Sequence, residues 1–383
     1  LIFQQKGLTY VQAGFMDTVR WLTSGLTSII VGFYVDMFQH RRGLFLGLSM
    51  AMMGVGYYLV GLAPSYGLIL AALIFAHIGS ALWHPPALGL LSQRFPSRRG
   101  LVIALHRSTG SLGDFGGPLM VGFFLAYFTW RGVLQNMLPI GIALGILLWV
   151  FLWKVGGPKS GPVMVGEKFQ AQMSSLGKAV RIPGLITLLA VSALRGMGDR
   201  ALFLFIPLFL ATELEMKASG VGVYTALLAL PAIASGPILG AVSDRVGRKP
   251  LIVMALLVSC VFPIIIITSY SLQPWFSISG VDFGLMALAI ILFGMFLYSV
   301  NSLVQAAVMD MAEGMKLEGT FIGMLWGNNA LFGAFSPVIA GLLADRWGTA
   351  IPFYYASAIF LTAGILAIRL PLSGQNGNNT AAT

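Results

Sequence analysis

Charged side chains lie inside long apolar stretches of this sequence, where they recur at helical spacing. Arg107 and Asp114 are seven residues apart in one stretch, and Arg195, Asp199 and Arg200 cluster in another. A charge in a low-dielectric interior is costly unless it is paired or hydrogen-bonded. Carboxylates and guanidinium groups retained there are candidates for exchanging protons or for binding a charged solute, provided that they line a cavity. Structural ion pairs are the alternative.

Histidines and amides extend this set of candidates. His84 precedes Pro85-Pro86, which interrupts a helix and frees backbone carbonyls, and histidine titrates near physiological pH. Asp114 is the carboxylate that we expect to exchange protons. The candidate pathway residues are Arg20, His84, His106, Arg107, Asp114, Arg195, Asp199, Arg200, Asn301, Asn328 and Asn329.

The composition places these residues in a membrane. Hydrophobic residues make up 57% of the 383 residues and charged residues only 9%, whereas about 25% is typical of soluble domains. Cys260 is the only cysteine, which excludes an internal disulfide. With about 20 residues per spanning helix and short loops, the length allows about a dozen spans.

Eleven hydrophobic segments are predicted as transmembrane helices, in an all-α protein. They lie near residues 9–37, 43–62, 67–92, 99–128, 132–153, 182–211, 218–243, 250–270, 283–310, 320–344 and 349–369.

The net charge of +10 follows this topology. Most loop lysines and arginines fall on one side of the membrane, and the other side has Lys6, Arg131, Lys217 and Arg346. Because basic loops mark the cytoplasmic side, we predict a cytoplasmic C-terminus in the plasma (inner) membrane. The excess charge is then a topology signal and does not indicate nucleic-acid binding.

The sequence also repeats itself on either side of a polar stretch at 154–180. Gly32 and Asp36, followed by Arg41 and Arg42, correspond to a second run in the later half. The second run consists of Gly240, Asp244, Arg245, Gly247, Arg248 and Lys249. Two halves with one orientation and a central cytoplasmic loop are typical of parallel-repeat transporters.

On these motifs the whole chain resembles the major facilitator superfamily. The run from Gly240 to Lys249 is similar to the family's signature loop, and the run from Gly32 to Arg42 is a degenerate copy. His84-Pro85-Pro86 is similar to a segment of fosmidomycin-resistance-type facilitators. The resemblance implies helical bundles at 1–153 and 181–371, a cytoplasmic linker at 154–180 and a disordered tail at 372–383. By family order the segments are similar to helices 2–12, so we expect the first helix to be missing.

The resemblance also suggests roles for two motifs. The signature residues would form a cytoplasmic latch, although a solvated basic loop is the alternative. Gly113, Gly117 and Pro118 are similar to part of the family's antiporter motif, and the alternative is plain helix packing.

The function expected is secondary active transport of a small organic solute by alternating access. The partial antiporter motif favours proton-coupled efflux, and an excess of membrane arginines favours an anionic or amphiphilic solute. We expect a monomer with no cofactor and no metal. A non-transporting membrane sensor or assembly protein of the same fold is the alternative, and an enzyme is not expected because no catalytic or phosphate-loop motif is found.

Overall fold

The computed structural model describes residues 7–37, 39–95, 99–155, 182–278, 280–312 and 318–371. Nearly all of the predicted linker and the whole predicted tail lie outside these ranges. The chain divides into two compact units, Leu1–Gly110 with Phe123–Ala171 and Ser111–Gly122 with Gln172–Thr383.

Seven helices contribute to the first unit. They are α1 (Tyr10–Met37), α2 (Arg42–Leu62), α3 (Tyr66–Ala81), α4 (His84–Arg94), α5 (Arg99–Tyr127), α6 (Trp130–Gln135) and α7 (Met137–Leu152). A 3₁₀ turn at Gln39–Arg41 joins α1 to α2. The stretch Ser111–Gly122 of α5 belongs to the second unit.

The described part of the second unit contains eight further helices and one hairpin. They are α8 (Leu185–Thr212), α9 (Ala218–Ala229), α10 (Ala232–Val246), α11 (Arg248–Ser259), α12 (Phe262–Ser269), β1 (Phe276–Ile278), β2 (Val281–Phe283), α13 (Leu285–Ala312), α14 (Glu318–Trp347) and α15 (Ile351–Ala367).

Each predicted hydrophobic segment coincides with one helix or with two consecutive helices. Within the described residues, seven helical stretches are long and apolar enough to cross a membrane. The helices α1, α5 and α8 have 28, 29 and 28 residues, and they contain the charged residues singled out above. The hairpin β1–β2 is the exception to the all-α prediction, with Phe276 opposite Phe283 and Ile278 opposite Val281.

Local sequence explains where several helices begin. The Ser65 hydroxyl accepts a hydrogen bond from the Leu68 amide at 3.4 Å, and Thr129 accepts one from the Gly132 amide at 3.1 Å. Both are N-caps that satisfy amides lacking a partner in the first turn. The prolines after His84 occupy the first turn of α4, where a missing amide hydrogen costs nothing.

Glycines allow α2 and α7 to pack closely in the first unit. A Cβ built on Gly54 would lie 2.9 Å from the Gly141 Cα, and one on Gly47 would lie 2.7 Å from the Gly145 carbonyl oxygen. Both distances are too short for a side chain, so these helices are held together by backbone contact.

The core of the second unit is aromatic where α8, α13 and α15 meet. The ring centroids of Phe209 and Phe353 are 5.3 Å apart, and those of Phe293 and Phe360 are 5.8 Å apart. Gly198 on α8 faces the Phe360 ring, and a Cβ there would come within 2.7 Å of it. This packing fixes the face of α8 that carries the charged residues.

Candidate functional site

The charged cluster of α8 forms a buried ion pair. The guanidinium of Arg195 contacts the Asp199 carboxylate one turn later, and the two side chains are only 9% and 6% exposed. Arg195 Nη1 also donates to Asn301 Oδ1 at 3.0 Å, and Nη2 donates to the Leu297 carbonyl at 3.5 Å. The pair is therefore tied to α13, which no local spacing could predict.

A second set of amides joins α8 to α14. The Ser192 hydroxyl donates to Asn329 Oδ1 at 3.1 Å, and Asn328 Nδ2 donates to the Leu189 carbonyl at 2.8 Å. Asn329 Oδ1 lies against Gly196, where a Cβ would approach it to 3.0 Å. The predicted candidates Arg195, Asn301 and Asn329 thus converge on one turn and a half of α8.

The next turn of α8 holds the second arginine. A Cβ on Gly333 of α14 would lie 2.5 Å from Arg200 Nε, so this glycine makes room for the Arg200 side chain. One turn of α14 later, the Ser336 hydroxyl bonds to the Met197 carbonyl at 2.7 Å and to the Tyr355 hydroxyl at 3.0 Å. Asp199 Oδ1 is buried with no hydrogen-bond partner among the described residues.

In the first unit, Arg20 pairs with Asp17 in the N-terminal half of α1. Their closest atoms are 3.3 Å apart, with the Arg20 side chain 49% exposed. Asp17 also accepts from Trp21 Nε1 at 3.2 Å, and the Arg20 guanidinium lies 5.0 Å from the centre of a Trp21 ring. Arg20 is therefore part of an exposed ion pair within α1.

Histidines of the first unit form an aromatic group. The His106 ring stacks near Trp83 at 6.4 Å between centroids, and His84 meets it edge-on at 6.2 Å. His77 is buried and faces Tyr57 at 6.3 Å. Trp83 was not among the predicted candidates, and only its position before His84-Pro85 could have indicated it.

For two other candidates on α5, Arg107 and Asp114, the structure describes less than for the cluster on α8. Asp114 is exposed within the second unit, while the side chain of Arg107 lies outside the described part of the structure. In the ranges described, no three His, Cys, Asp or Glu side chains come together.

The signature loop is organised around Arg248. Its Nε donates to Asp310 Oδ2 at 3.0 Å, and its Nη1 contacts the Ser243 hydroxyl and the Gly240 carbonyl. Gly247 has a φ of 98°, which lets the chain turn from α10 into α11. Arg245 is exposed and Lys249 half-buried. Asp310 was not predicted, although an acid at a helix end opposite a basic loop was a signal for it.

The structure describes the side chains of only some of the remaining latch candidates. In the degenerate copy, Arg41 is exposed and Arg42 is buried at the start of α2. The side chains of Asp36 and Asp244, and the surroundings of Gly32, lie outside the described part of the structure. Among the described residues, no atom lies within 4 Å of a Cβ built on Gly240, so no described helix approaches it closely.

The described residues do not pack closely at Gly113 and Gly117. A Cβ built on either glycine would meet none of their atoms within 4 Å. The close approach occurs one turn later, where a Cβ on Gly122 would lie 2.9 Å from the Ala218 carbonyl oxygen, and one on Gly222 would lie 2.5 Å from the Pro118 carbonyl oxygen. The packing face of α5 toward α9 therefore follows Pro118 and Gly122.

These helices and repeats match a known protein family. A family model described as Major Facilitator Superfamily matches residues 1–195 and again residues 188–382. The chain belongs to the Major Facilitator Superfamily. It is a multi-pass membrane protein and a membrane transporter, as the resemblance of its motifs implied.

Named members of the superfamily are similar over nearly the whole chain. The fosmidomycin resistance protein of Escherichia coli (strain K12) is 24% identical, with 97% of this chain and 86% of that protein covered. The MFS-type transporter YfnC of Bacillus subtilis (strain 168) is 25% identical, with 97% and 87% covered. The tetracenomycin C resistance and export protein of Streptomyces glaucescens is 27% identical over 33% of this chain and 24% of its own length.

Solved structures confirm the fold of this superfamily member. A crystal structure of a POT family transporter with a thioalcohol-conjugated peptide has a TM-score of 0.74 at 12% identity, covering 94% of this chain and 88% of that one. A mutant peptide transporter in complex with sulfate gives 0.73 at 15% identity, covering 94% and 86%.

Proposed function

We propose that the chain is a secondary active transporter that exchanges a small organic solute for protons by alternating access. The observation that carries the proposal is the network in which the buried pair Arg195–Asp199 and Ser192 of α8 bind the half-buried amides Asn301 and Asn329. Buried charges and amides in membrane-spanning helices are costly. A protein that only needed to hold its helices together has little reason to keep them.

Efflux is the direction that we propose. Its supports are the words resistance and export in the names of similar proteins and the Gly-Pro run of α5. In this proposal Asp114 exchanges the proton, because it is a carboxylate in the middle of the long helix α5. Arg107, His84 and His106 belong to the same pathway.

The latch proposal concerns the start of α11, in the signature loop that follows α10, and the C-terminal end of α13. An aspartate at the C-terminal end of a helix is disfavoured by the helix dipole, so Asp310 gains from a basic partner. Arg248 is that partner, at 3.0 Å. We propose that this contact, together with Asp244 of the signature loop, holds one conformation of the transport cycle. The degenerate copy with Gly32 and Asp36 would act likewise.

The proposed setting is a monomer in the plasma membrane with its C-terminus in the cytoplasm. The orientation rests on the distribution of lysines and arginines among the loops. The solute is proposed to be anionic or amphiphilic, since arginines outnumber carboxylates within the apolar segments.

The experiment that tests this proposal begins with purified protein in detergent. A panel of organic anions and lipophilic drugs is screened for ligands that raise the unfolding midpoint, since a ligand of the folded state stabilises it. Each ligand found is then radiolabelled, and its uptake into proteoliposomes is measured with and without a pH gradient. Gradient-driven uptake is expected. Binding with no uptake under a pH gradient or a membrane potential would contradict transport and favour the sensor alternative.

A further inference from the structure

The hairpin β1–β2 of the second unit has an apolar face. Its register places Phe276 opposite Phe283 and Ile278 opposite Val281. Because successive side chains of a strand point to opposite faces, these four residues share one face of the hairpin. Gly280, with a φ of 76°, lies in the turn between the two strands.

The opposite face of the hairpin is polar. Ser277 is paired with Asp282 in the register, and its hydroxyl donates a hydrogen bond to the Asp282 carboxylate. Between residues 270 and 284 the sequence has no lysine, arginine or histidine, and Asp282 is its only acid. A segment without basic side chains is not attracted electrostatically to anionic lipids. Contact with a membrane would therefore depend on the apolar face.

The helix α9 covers the β2 half of the apolar face. The Tyr224 hydroxyl donates to the Asp282 carbonyl, and its ring stacks on Phe283 with centroids 6.3 Å apart. One turn earlier in α9, a Cβ built on Gly220 would lie 3.8 Å from the Val281 side chain. These contacts fix β2 to the start of α9 and leave Val281 and Phe283 half-buried.

The β1 half of the same face is exposed. Phe276 stacks on Phe283 with ring centroids 5.3 Å apart, yet 53% of it is exposed. Ile278 is 58% exposed, and Trp275, which precedes the strand, is 62% exposed. Large apolar side chains that are exposed side by side mark an interaction surface.

The neighbouring helices place this surface at the edge of the membrane. The stretches Arg248–Ser269 and Leu285–Val308 are each long and apolar enough to cross it. Gly284 alone separates β2 from α13, so β2 ends within about 7 Å of that span at about 3.3 Å per residue. Because the first stretch begins in the signature loop, the hairpin lies on the opposite side of the membrane.

We propose that the hairpin β1–β2 lies in the headgroup region of the bilayer, with Trp275, Phe276 and Ile278 in contact with lipid. Tryptophan is enriched at this depth of membrane proteins, because its ring is apolar and its N–H is polar. The polar face with Ser277 and Asp282 is in water. The partner is the interface of a neutral bilayer, since the hairpin has no basic side chain. This inference does not depend on the transported solute or on proton coupling.

Two adjacent positions of β1 provide a matched pair for the test. In a Cys260→Ser background, Ile278→Cys places one thiol on the apolar face, and Ser277→Cys places one on the polar face. Both native side chains are exposed, so neither substitution removes core packing. The full chain with either thiol is labelled with an NBD maleimide, whose emission depends on polarity. It is then placed in phosphatidylcholine nanodiscs, where both membrane faces are open to the solution.

Two quenchers distinguish the two environments, namely a lipid with a nitroxide close to its headgroup and aqueous iodide. We expect the label of Ile278→Cys to emit at shorter wavelength than that of Ser277→Cys. Its quenching by the nitroxide lipid is expected to be stronger and its quenching by iodide weaker. Addition of phosphatidylglycerol is expected to change neither. The unfolding midpoints of both variants, compared with that of Cys260→Ser, verify the fold.

Three results would overturn the proposal. Equal quenching by iodide at both positions would show that the apolar face is in water. Protection of Ile278→Cys from both quenchers would show that protein covers this face. Quenching by the nitroxide lipid that requires phosphatidylglycerol would reject a neutral interface. Trp275→Cys is the second apolar position if Ile278→Cys does not fold, and the same outcomes decide there.

Discussion

At the scale of single residues, the pair Arg195–Asp199 places two opposite charges in the interior of the second unit. Two charges that are less than a tenth exposed need each other, because the desolvation of either alone is not offset. Their spacing of four residues in one helix predicts the pair from sequence alone. The partners on α13 and α14 could not be predicted, because they lie more than 100 residues away and meet α8 only through packing.

Removal of one partner of this pair is expected to destabilise the protein. Asp199→Leu removes the carboxylate that the buried Arg195 guanidinium contacts, at a cost of about 3–5 kcal/mol. In Arg195→Met/Asp199→Leu neither charge remains, so the double variant is expected to be more stable than Asp199→Leu. The measurement is the thermal unfolding midpoint of each variant in detergent. If the double variant were destabilised by the sum of the effects of Arg195→Met alone and Asp199→Leu alone, the two side chains would not be coupled.

At the scale of helices and loops, the hydrophobic pattern was sufficient to predict where the helices lie along the sequence. All eleven predicted segments coincide with helices, because an apolar run of about 20 residues has few other structures open to it. Contacts between helices were less predictable. Gly113 and Gly117 match part of a motif but make no close contact among the described residues, whereas Gly122, one turn after that run, packs closely against the helix that carries Gly222. A pattern of glycines shows where another helix can approach closely. It does not show which helix does so.

The contact between α5 and α9 gives a prediction with an internal control. In Gly222→Ala the new Cβ would lie 2.5 Å from the Pro118 carbonyl oxygen, so the helices have to separate. Overpacking of this kind costs about 1–3 kcal/mol. Gly113→Ala meets open space and is expected to be neutral. Unfolding midpoints and transport rates of the two variants are compared, and equal behaviour of both would contradict the assigned packing face.

The latch between α11 and α13 gives a kinetic prediction. Asp310→Asn removes the charge that Arg248 meets at 3.0 Å. Because the pair is partly exposed, a stability change below about 1 kcal/mol is expected. The transport rate is expected to fall, with solute affinity unchanged, and the charge swap Arg248→Asp/Asp310→Arg to restore part of it. The account of the latch is wrong if affinity and rate fall together, which indicates a role in binding.

At the scale of the whole molecule, the membership of the superfamily and the fold were accessible from sequence. The repeated signature run and the central polar stretch indicated two halves, and the family model matches twice along the chain. The hairpin β1–β2 was not predicted, because its three-residue strands are shorter than any periodic pattern that could mark them.

Orientation in the membrane can be tested because the chain has a single cysteine. In a Cys260→Ser background, Thr383→Cys places one thiol on the C-terminal side of α15. Basic loops are expected on the cytoplasmic side, so a membrane-impermeant maleimide should label this thiol only after the cells are opened. Labelling in intact cells would reverse the predicted topology.

Proton exchange coupled to solute movement is the central claim, and proton flux tests it most directly. Proteoliposomes loaded with a pH-sensitive dye are given a solute identified by thermal shift, with no pH gradient imposed. Solute influx is expected to drive protons out, raising the internal pH, and Asp114→Asn is expected to abolish this change while keeping the wild-type unfolding midpoint. Solute uptake with no movement of protons, or an undiminished pH change in Asp114→Asn, would contradict the claim or the residue assigned to it.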